Sequence, residues 1–192
     1  MRDPKIEIGP DELAWDGNWI QCWRRPFRSK KTGVPGIWEI IKRKRPINVV
    51  SVAPVTADGK LILTKIFRIP SAGWIIDLCA GLTDGPEEKF EDAARREMLE
   101  ELGYAAETLE LACCGSYNPG LWNDDIAIFI GWNAKKIQEP QLEDSEDIEA
   151  VEVPIATARE FLKKESGDAK IDVKVWSALY FIESIMKERT GK

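Results

Sequence analysis

Residues 81–104 read GLTDGPEEKFEDAARREMLEELGY, and within them Phe90, Ala94, Met98 and Leu102 recur every four residues. That spacing is one face of an α-helix, and Gly103 follows as a residue free to take the left-handed conformation that ends helices. The pattern predicts a helix over 89–102. On it, Glu97, Glu100 and Glu101 stand at i, i+3 and i+4, so three carboxylates leave one side together. Like charges so placed repel by a few tenths of a kcal/mol per pair, roughly. On spacing alone such a run reads as a solvated acidic face. If the helix packs through Phe90 and Met98, the glutamates lie at the edge of a groove, where a divalent cation would neutralise them; helical spacing by itself leaves the solvated face ahead, and the full residue order has to decide. Oxygen-only donors suit Mg²⁺ or Mn²⁺.

Working outward, residues 74–78 (WIIDL) form a strand that ends at Ala80-Gly81. Before it, 48–55 and 60–67 alternate as strands on either side of Asp58-Gly59, a hairpin signal. Beyond the helix, strands are predicted near 107–114 and 126–132, separated by a loop with Asn118-Pro119-Gly120. An acidic segment, 139–147, leads to a strand at 149–153 and two helices near 155–165 and 172–188. Residues 1–45 are polar and rich in Trp, Arg and Lys, with short strands at 6–8, 19–24 and 37–42 outside the main core. The expectation is an α/β chain with a mixed sheet at 46–192, preceded by a small β appendage at 1–45.

Composition narrows the chemistry. The chain has 192 residues, 44% of them hydrophobic and 31% charged, enough for one domain with a real core. It contains no histidine, so proton transfer falls to carboxylates, Lys, Tyr or water, and His/Cys zinc sites are nearly excluded. Four cysteines without C-x-x-C spacing read as reduced, mostly buried thiols of a cytoplasmic protein. A net charge of −6 argues against a nucleic-acid surface. The basic run Arg24-Arg25, Arg28, Lys30-Lys31 reads as a solvated hairpin, with a subunit contact as its other use. The start, Met1-Arg2-Asp3-Pro4, has no apolar leader pattern and no apolar run approaches a membrane span, so no membrane partner is expected.

The order of residues from Glu88 onward resembles the Nudix box: Gly, five residues, Glu, seven residues, then Arg-Glu-apolar-x-Glu-Glu-x-Gly-apolar. Glu88, seven residues and Arg96-Glu97-Met98-Leu99-Glu100-Glu101-Leu102-Gly103-Tyr104 match throughout. The departure is in front, where six residues separate Gly81 from Glu88; a one-residue insertion within 82–87 accounts for it, because loop length is cheap. The resemblance implies an α/β/α sandwich and Mg²⁺- or Mn²⁺-dependent hydrolysis of a nucleoside diphosphate linked to another moiety. Glu97, Glu100 and Glu101 would hold metal, and Arg96 would orient them.

From about Gly17 onward the chain is similar to the ADP-ribose pyrophosphatase branch. Pro119 stands sixteen residues after Gly103, as in that branch, followed by Gly120-Leu121. Trp38-Glu39-x-x-x-Arg43 looks like its N-terminal Trp-Glu-x-x-x-Arg segment, whose tryptophan stacks on adenine with a second aromatic from the other subunit of a homodimer. Trp19 matches that second aromatic, with Trp23 as competitor; among eight tryptophans, each alone is also a candidate for packing. Arg68 matches a phosphate-binding arginine, and Ala80 a residue whose carbonyl ligates metal. Asp77 and Cys79 replace the branch's usual Glu and Pro. For the catalytic base the branch implies an acidic loop, with Glu146 aligned best and Glu143 or Asp144 as alternatives. A base carried there must move to reach its water and order with substrate and metal. The expected substrate is ADP-ribose or a similar nucleoside diphosphate sugar, cleaved to AMP and a sugar phosphate. Other readings are another nucleotide sugar, a dinucleoside polyphosphate, or a sensing module without hydrolysis. Against the last stand the three retained glutamates and the lack of a helix-turn-helix after the final helix.

Overall fold

The computed structural model describes residues 2–45 and 47–191. Pro46, where the second segment was expected to begin, lies outside the described residues, as do Met1 and Lys192. Four strands come first: β1 (Ile6–Ile8), β2 (Glu12–Asp16), β3 (Ile20–Ser29) and β4 (Pro35–Arg43). They form one antiparallel sheet around β3, which pairs with each of the other three. Strand β2 was not expected, since GluLeuAlaTrpAsp alternates over only five residues and every one is exposed. Ile40 is the one buried hydrophobic residue of this sheet. Its cohesion rests on pairing and on Asp11, which takes Arg25 at 2.5 Å and also bonds Lys42.

The second sheet has nine strands: β5 (Val49–Thr56), β6 (Lys60–Arg68), β7 (Gly73–Asp77), β8 (Cys79–Leu82), β9 (Tyr104–Ala105), β10 (Thr108–Ser116), β11 (Asp125–Lys136), β12 (Ile148–Pro154) and β13 (Lys170–Ile171). The path runs β10-β11-β5-β6-β7-β13, with β12 on β6, β8 on β5 and β9 on β11. β11 runs parallel to β5 and β13 to β7, the other pairs being antiparallel, so the sheet is mixed. Asp58-Gly59 makes the β5–β6 turn, with Gly59 at φ 79°.

Alternation along the central strands divides the core into two layers. Val50 and Val52 of β5 and Ala127 and Phe129 of β11 face one side, where Ala94, Met98 and Leu102 of α1 (Phe90–Leu102) cover them. Ala53, Val55, Ile126, Ile128 and Ile130 face the other, beneath α2 (Ala158–Glu165) and α3 (Val173–Thr190). Helix, sheet, helix: the expected α/β/α sandwich. Among the described residues no helix is long and apolar enough to cross a membrane.

The first sheet meets this body through the loop before β11. Ile41 N–H donates to Leu121 O at 2.9 Å, Trp38 Nε1–H to Gly120 O at 2.8 Å, and Arg43 pairs with Asp124 at 2.8 Å.

Candidate active site

Helix α1 presents the glutamates because its other face is fixed. Ala94, Met98 and Leu102 are buried against the sheet, and Gly103, at φ 72°, closes the helix. Its N–H returns to Leu99 O at 2.9 Å, and its own carbonyl accepts from Ile137 N–H at 2.9 Å. The rotation about the helix axis is thereby set. Glu101 falls next to the apolar stripe and is only 7% exposed; Glu100 points outward and Glu97 lies between them.

Arg96 gathers the rest. Its Nη1 donates to Glu97 at 2.8 Å and Glu100 at 3.1 Å, its Nη2 to the Leu82 carbonyl at 2.8 Å, and Glu88 accepts from it at 3.4 Å. Glu88 also accepts from Asp84 N–H at 2.6 Å, closing the loop that carries the extra residue. The Arg96 and Asp84 contacts hold the Glu88 carboxyl below its usual range. Reading Glu88 rather than Glu87 as the box glutamate agrees with this geometry. Gly81 leaves room for Glu97: a Cβ there would overlap the Glu97 carboxyl and push it aside.

Glu101 accepts from Ala80 N–H at 3.0 Å, tying the helix to β8. Burial pushes its pKa up to about 7, and repulsion from Glu97 and Glu146 acts the same way against the Cys79 and Ala80 contacts. Burial also raises Glu97, with Arg96 pulling in the opposite direction. These groups border one cleft of about 650 Å³, which Trp19, Arg45, Gln141, Glu143 and Glu146 also line. The acidic loop is pinned over it by Gln141 N–H on Glu100 O at 2.7 Å, and Glu146 accepts from Glu143 N–H at 2.9 Å.

The donors fit a hard divalent cation. They are all oxygen, they crowd negative charge into a half-buried cleft, and burial, helped by that crowding, holds Glu101 toward protonation. The carboxylates border the cleft without closing on one point: among the described residues no three acidic or sulfur side chains converge as a ready ligand set. Arg96 holds Glu97 and Glu100 while Glu101 turns to Ala80. A cation would gather them by short side-chain rotations.

The other residues singled out from the sequence fall in neighbouring places. Trp38, 53% exposed, lines a mostly apolar groove of about 410 Å³ with Pro119, Gly120 and Leu121; no carboxylate borders it. Trp19 is 79% exposed and borders the acidic cleft of its own chain, away from Trp38's groove. Glu39 sits on the exposed side of β4, within 3.9 Å of Arg24. Arg43 and Arg68 line a further cleft on the α3 side, Arg68 paired with Asp77 at 3.1 Å and Arg43 lying 5.3 Å from the Trp122 ring. Sequence reasoning missed Lys174, which pairs with Asp77 at 3.1 Å, and Ser51, because nothing local marks either; they meet only through the β5–β8 register and the start of α3. Gln141 was also missed, although it lies in the acidic segment read as a loop.

Comparison with known proteins fits this arrangement. The NUDIX domain model matches residues 44–174. "Putative nudix hydrolase 2" of Caenorhabditis elegans is 33% identical over 155 residues, covering 73% of this chain and 68% of that one. The ADP-ribose pyrophosphatase of Bacillus subtilis is 32% identical over 134 residues, covering 69% and 70%. A crystal structure of an ADP compounds hydrolase superimposes with a TM-score of 0.82 over 98% of both chains at 20% identity, a likeness of fold. With the box on α1, its arginine at the centre of three glutamates and the sandwich around it, this chain belongs to the Nudix family.

Proposed function

We propose that this protein hydrolyses the pyrophosphate bond of ADP-ribose, or of a closely similar nucleoside diphosphate sugar, to AMP and a sugar phosphate. The observation that carries the reading is the acidic cleft, where Glu97, Glu100, Glu101 and Glu146 face one another around Arg96 and Ala80. The substrate class is supported by the relatives in Bacillus subtilis, named an ADP-ribose pyrophosphatase, and in mouse, named an ADP-sugar pyrophosphatase.

In this mechanism Glu97, Glu100, Glu101 and the Ala80 backbone would hold Mg²⁺ or Mn²⁺, which when bound would supply charge neutralisation for the diphosphate and lower the pKa of water. Arg96 keeps Glu97 and Glu100 in place by its two-pronged contact, and its grip on Leu82 O ties that array to β8. Glu146 takes the proton from the attacking water. Its loop is anchored at Gln141 and again at Asp147, whose carbonyl accepts from Phe67 N–H at 3.1 Å, and the turn between them would have to shift to bring Glu146 over the cleft. Arg43 and Arg68 meet the phosphates from the far side of β8. The base stacks on Trp38, fixed by its bond to Gly120 O, with Pro119 and Leu121 lining that groove. Trp19 and the exposed Ile8, Trp15, Val34 and Ile37 make the first sheet a homodimer face, burying apolar surface that one chain leaves in water. The segments at 1–45 and 46–192 then divide the work: assembly and base stacking in one, metal chemistry in the other.

A panel of nucleotides with Mg²⁺, scored for nucleoside monophosphate release, tests the substrate. ADP-ribose or another ADP-sugar should give the highest kcat/KM. A preference for guanine or uracil substrates would sink the adenine role of Trp38, and tight ADP-ribose binding without turnover of any nucleotide would favour a sensor.

A further inference from the structure

The last turn of α1 leaves carbonyls without donors inside the helix, and the segment that leaves β11 meets them from outside. Ile137 and Gln138 N–H both reach Gly103 O, at 2.9 and 3.2 Å, and Gln141 N–H reaches Glu100 O at 2.7 Å. Just upstream, Lys135 and Lys136 pair with Ala105 and Tyr104. The approach is close: a Cβ on Gly103 would stand 2.1 Å from Gln138 O. Between the two anchors lies Pro140, whose ring fixes one backbone torsion and restricts Glu139 before it, so the span is stiff. Past Gln141 the chain turns back at once. Glu146 N–H donates to Glu143 O at 2.9 Å, and the Glu146 carboxylate accepts from Glu143 N–H at 2.9 Å. The turn then rejoins the sheet, where Phe67 N–H meets Asp147 O at 3.1 Å.

The acidic turn therefore hangs between two supports, one on β6 and one on the helix that carries the cleft glutamates. Glu100 belongs to both arrays: its carboxylate is held by Arg96 at 3.1 Å, and its carbonyl holds Gln141. A movement of the last turn of α1 is thus passed to the acidic loop through a single residue. We propose that Gln141 is a positioning residue: its N–H on Glu100 O ties the acidic loop to α1, so that the loop carboxylate keeps its register with Glu97 and Glu101 as the turn shifts. Gly103 acts with it, by leaving room for the Gln138 backbone. The inference rests on the hydrolysis proposed above, with Glu146 as the base. Misplacing a reacting group by about 1 Å costs on the order of a hundredfold in rate, so a lost anchor shows in kcat even where substrate and metal still bind.

The test removes the donor and asks whether the loss passes through Glu146. Gln141→Pro deletes the N–H; in the full chain with Mg²⁺ and ADP-ribose it should lower kcat about tenfold or more. KM, and Mn²⁺ affinity read by electron paramagnetic resonance, should stay within about twofold of wild type. Gln141→Ala keeps the N–H and should recover most of that rate; equal losses in the two variants would give the role to the side chain and overturn the proposal. Combined with Glu146→Gln, Gln141→Pro should cost less than about twofold more, because the group it positions is already gone. A further full tenfold loss would overturn the coupling. If Gln141→Pro folds poorly, hydrogen exchange of the wild-type chain decides: the Gln141 amide should exchange as slowly as that of Gly103, and exchange at the rate of an open loop would overturn the anchor. A Glu146→Gln variant as fast as wild type, with the Gln141 amide protected, would instead sink the assignment of the base beneath this inference.

Discussion

Replacing Glu101 by Gln should make the metal-free protein more stable while disabling it. The Glu101 carboxyl is 7% exposed, and burial lifts its pKa from an ordinary 4.5 to about 7. Below pH 4.5 folded and unfolded chains both hold the proton, and no penalty arises. Between 4.5 and 7 the folded chain keeps a proton that the unfolded chain has released, so stability falls as pH rises; above 7 the penalty is complete. At about 1.4 kcal/mol per pKa unit, the interval from 4.5 to about 7 corresponds to a cost of about 3 kcal/mol at pH 8. Glutamine carries no charge and its carbonyl accepts the same Ala80 N–H, so the penalty disappears. Urea unfolding in EDTA at pH 4.5, 6 and 8 reads this directly. The variant should match wild type at pH 4.5 and exceed it by about 2–3 kcal/mol at pH 8. Added Mg²⁺ should then stabilise wild type and leave the variant nearly unchanged. Stability curves that run parallel from pH 4.5 to 8 would refute the reasoning, because they would mean that Glu101 is not carried at a cost.

The same substitution should lower kcat at least ~10²-fold with the circular dichroism spectrum intact; little change in rate would put the metal elsewhere. Gly81→Ala should loosen Mn²⁺ binding, measured by electron paramagnetic resonance, because the new methyl group displaces the Glu97 carboxyl; unchanged affinity would show Glu97 to be dispensable. Arg96→Gln should raise the Mg²⁺ concentration needed for half-maximal rate more than it raises KM for nucleotide, since Arg96 touches Glu88, Glu97 and Glu100. A pure KM effect would make Arg96 a substrate contact. In the first sheet, hydrogen bonds from Arg25 and Lys42 hold Asp11 well below its ordinary 3.8. Asp11→Asn should therefore be less stable than wild type at pH 7, and the difference should close as pH falls below 3.8. A gap that keeps its pH 7 size down to pH 2 would assign the loss to packing.

The helix, its register and the central strands were legible because each is a local pattern. Four apolar residues at helical spacing fixed which face of α1 is buried, and the dense β pattern of 48–55 marked β5, whose Val50 and Val52 prove to face one layer and Ala53 and Val55 the other. Strand β2 was lost because its side chains are all exposed and carry no buried alternation. The two-residue strands β9 and β13 are too short to have a period at all. The final helix starts at Val173 with Asp172 as its cap, accepting from Lys174 N–H at 2.9 Å, one residue later than the apolar pattern predicts. Within the site, Glu97 and Glu101 were readable from residue order. The hold of Arg96 on Leu82 O, the Ser51–Ala80 register and the Lys174–Asp77 pair were not, since each joins segments far apart in the chain. Trp19 and Trp38 were read as a stacking pair formed across two subunits, and within a single chain they border different recesses.

The most direct measurement is product analysis of ADP-ribose incubated with the purified protein, with Mg²⁺ and with excess EDTA. AMP and ribose 5-phosphate should accumulate in equal amounts with Mg²⁺ and stop with EDTA. Formation of ADP and free ribose, or equal rates with and without the chelator, would contradict a pyrophosphatase centred on Glu97, Glu100 and Glu101.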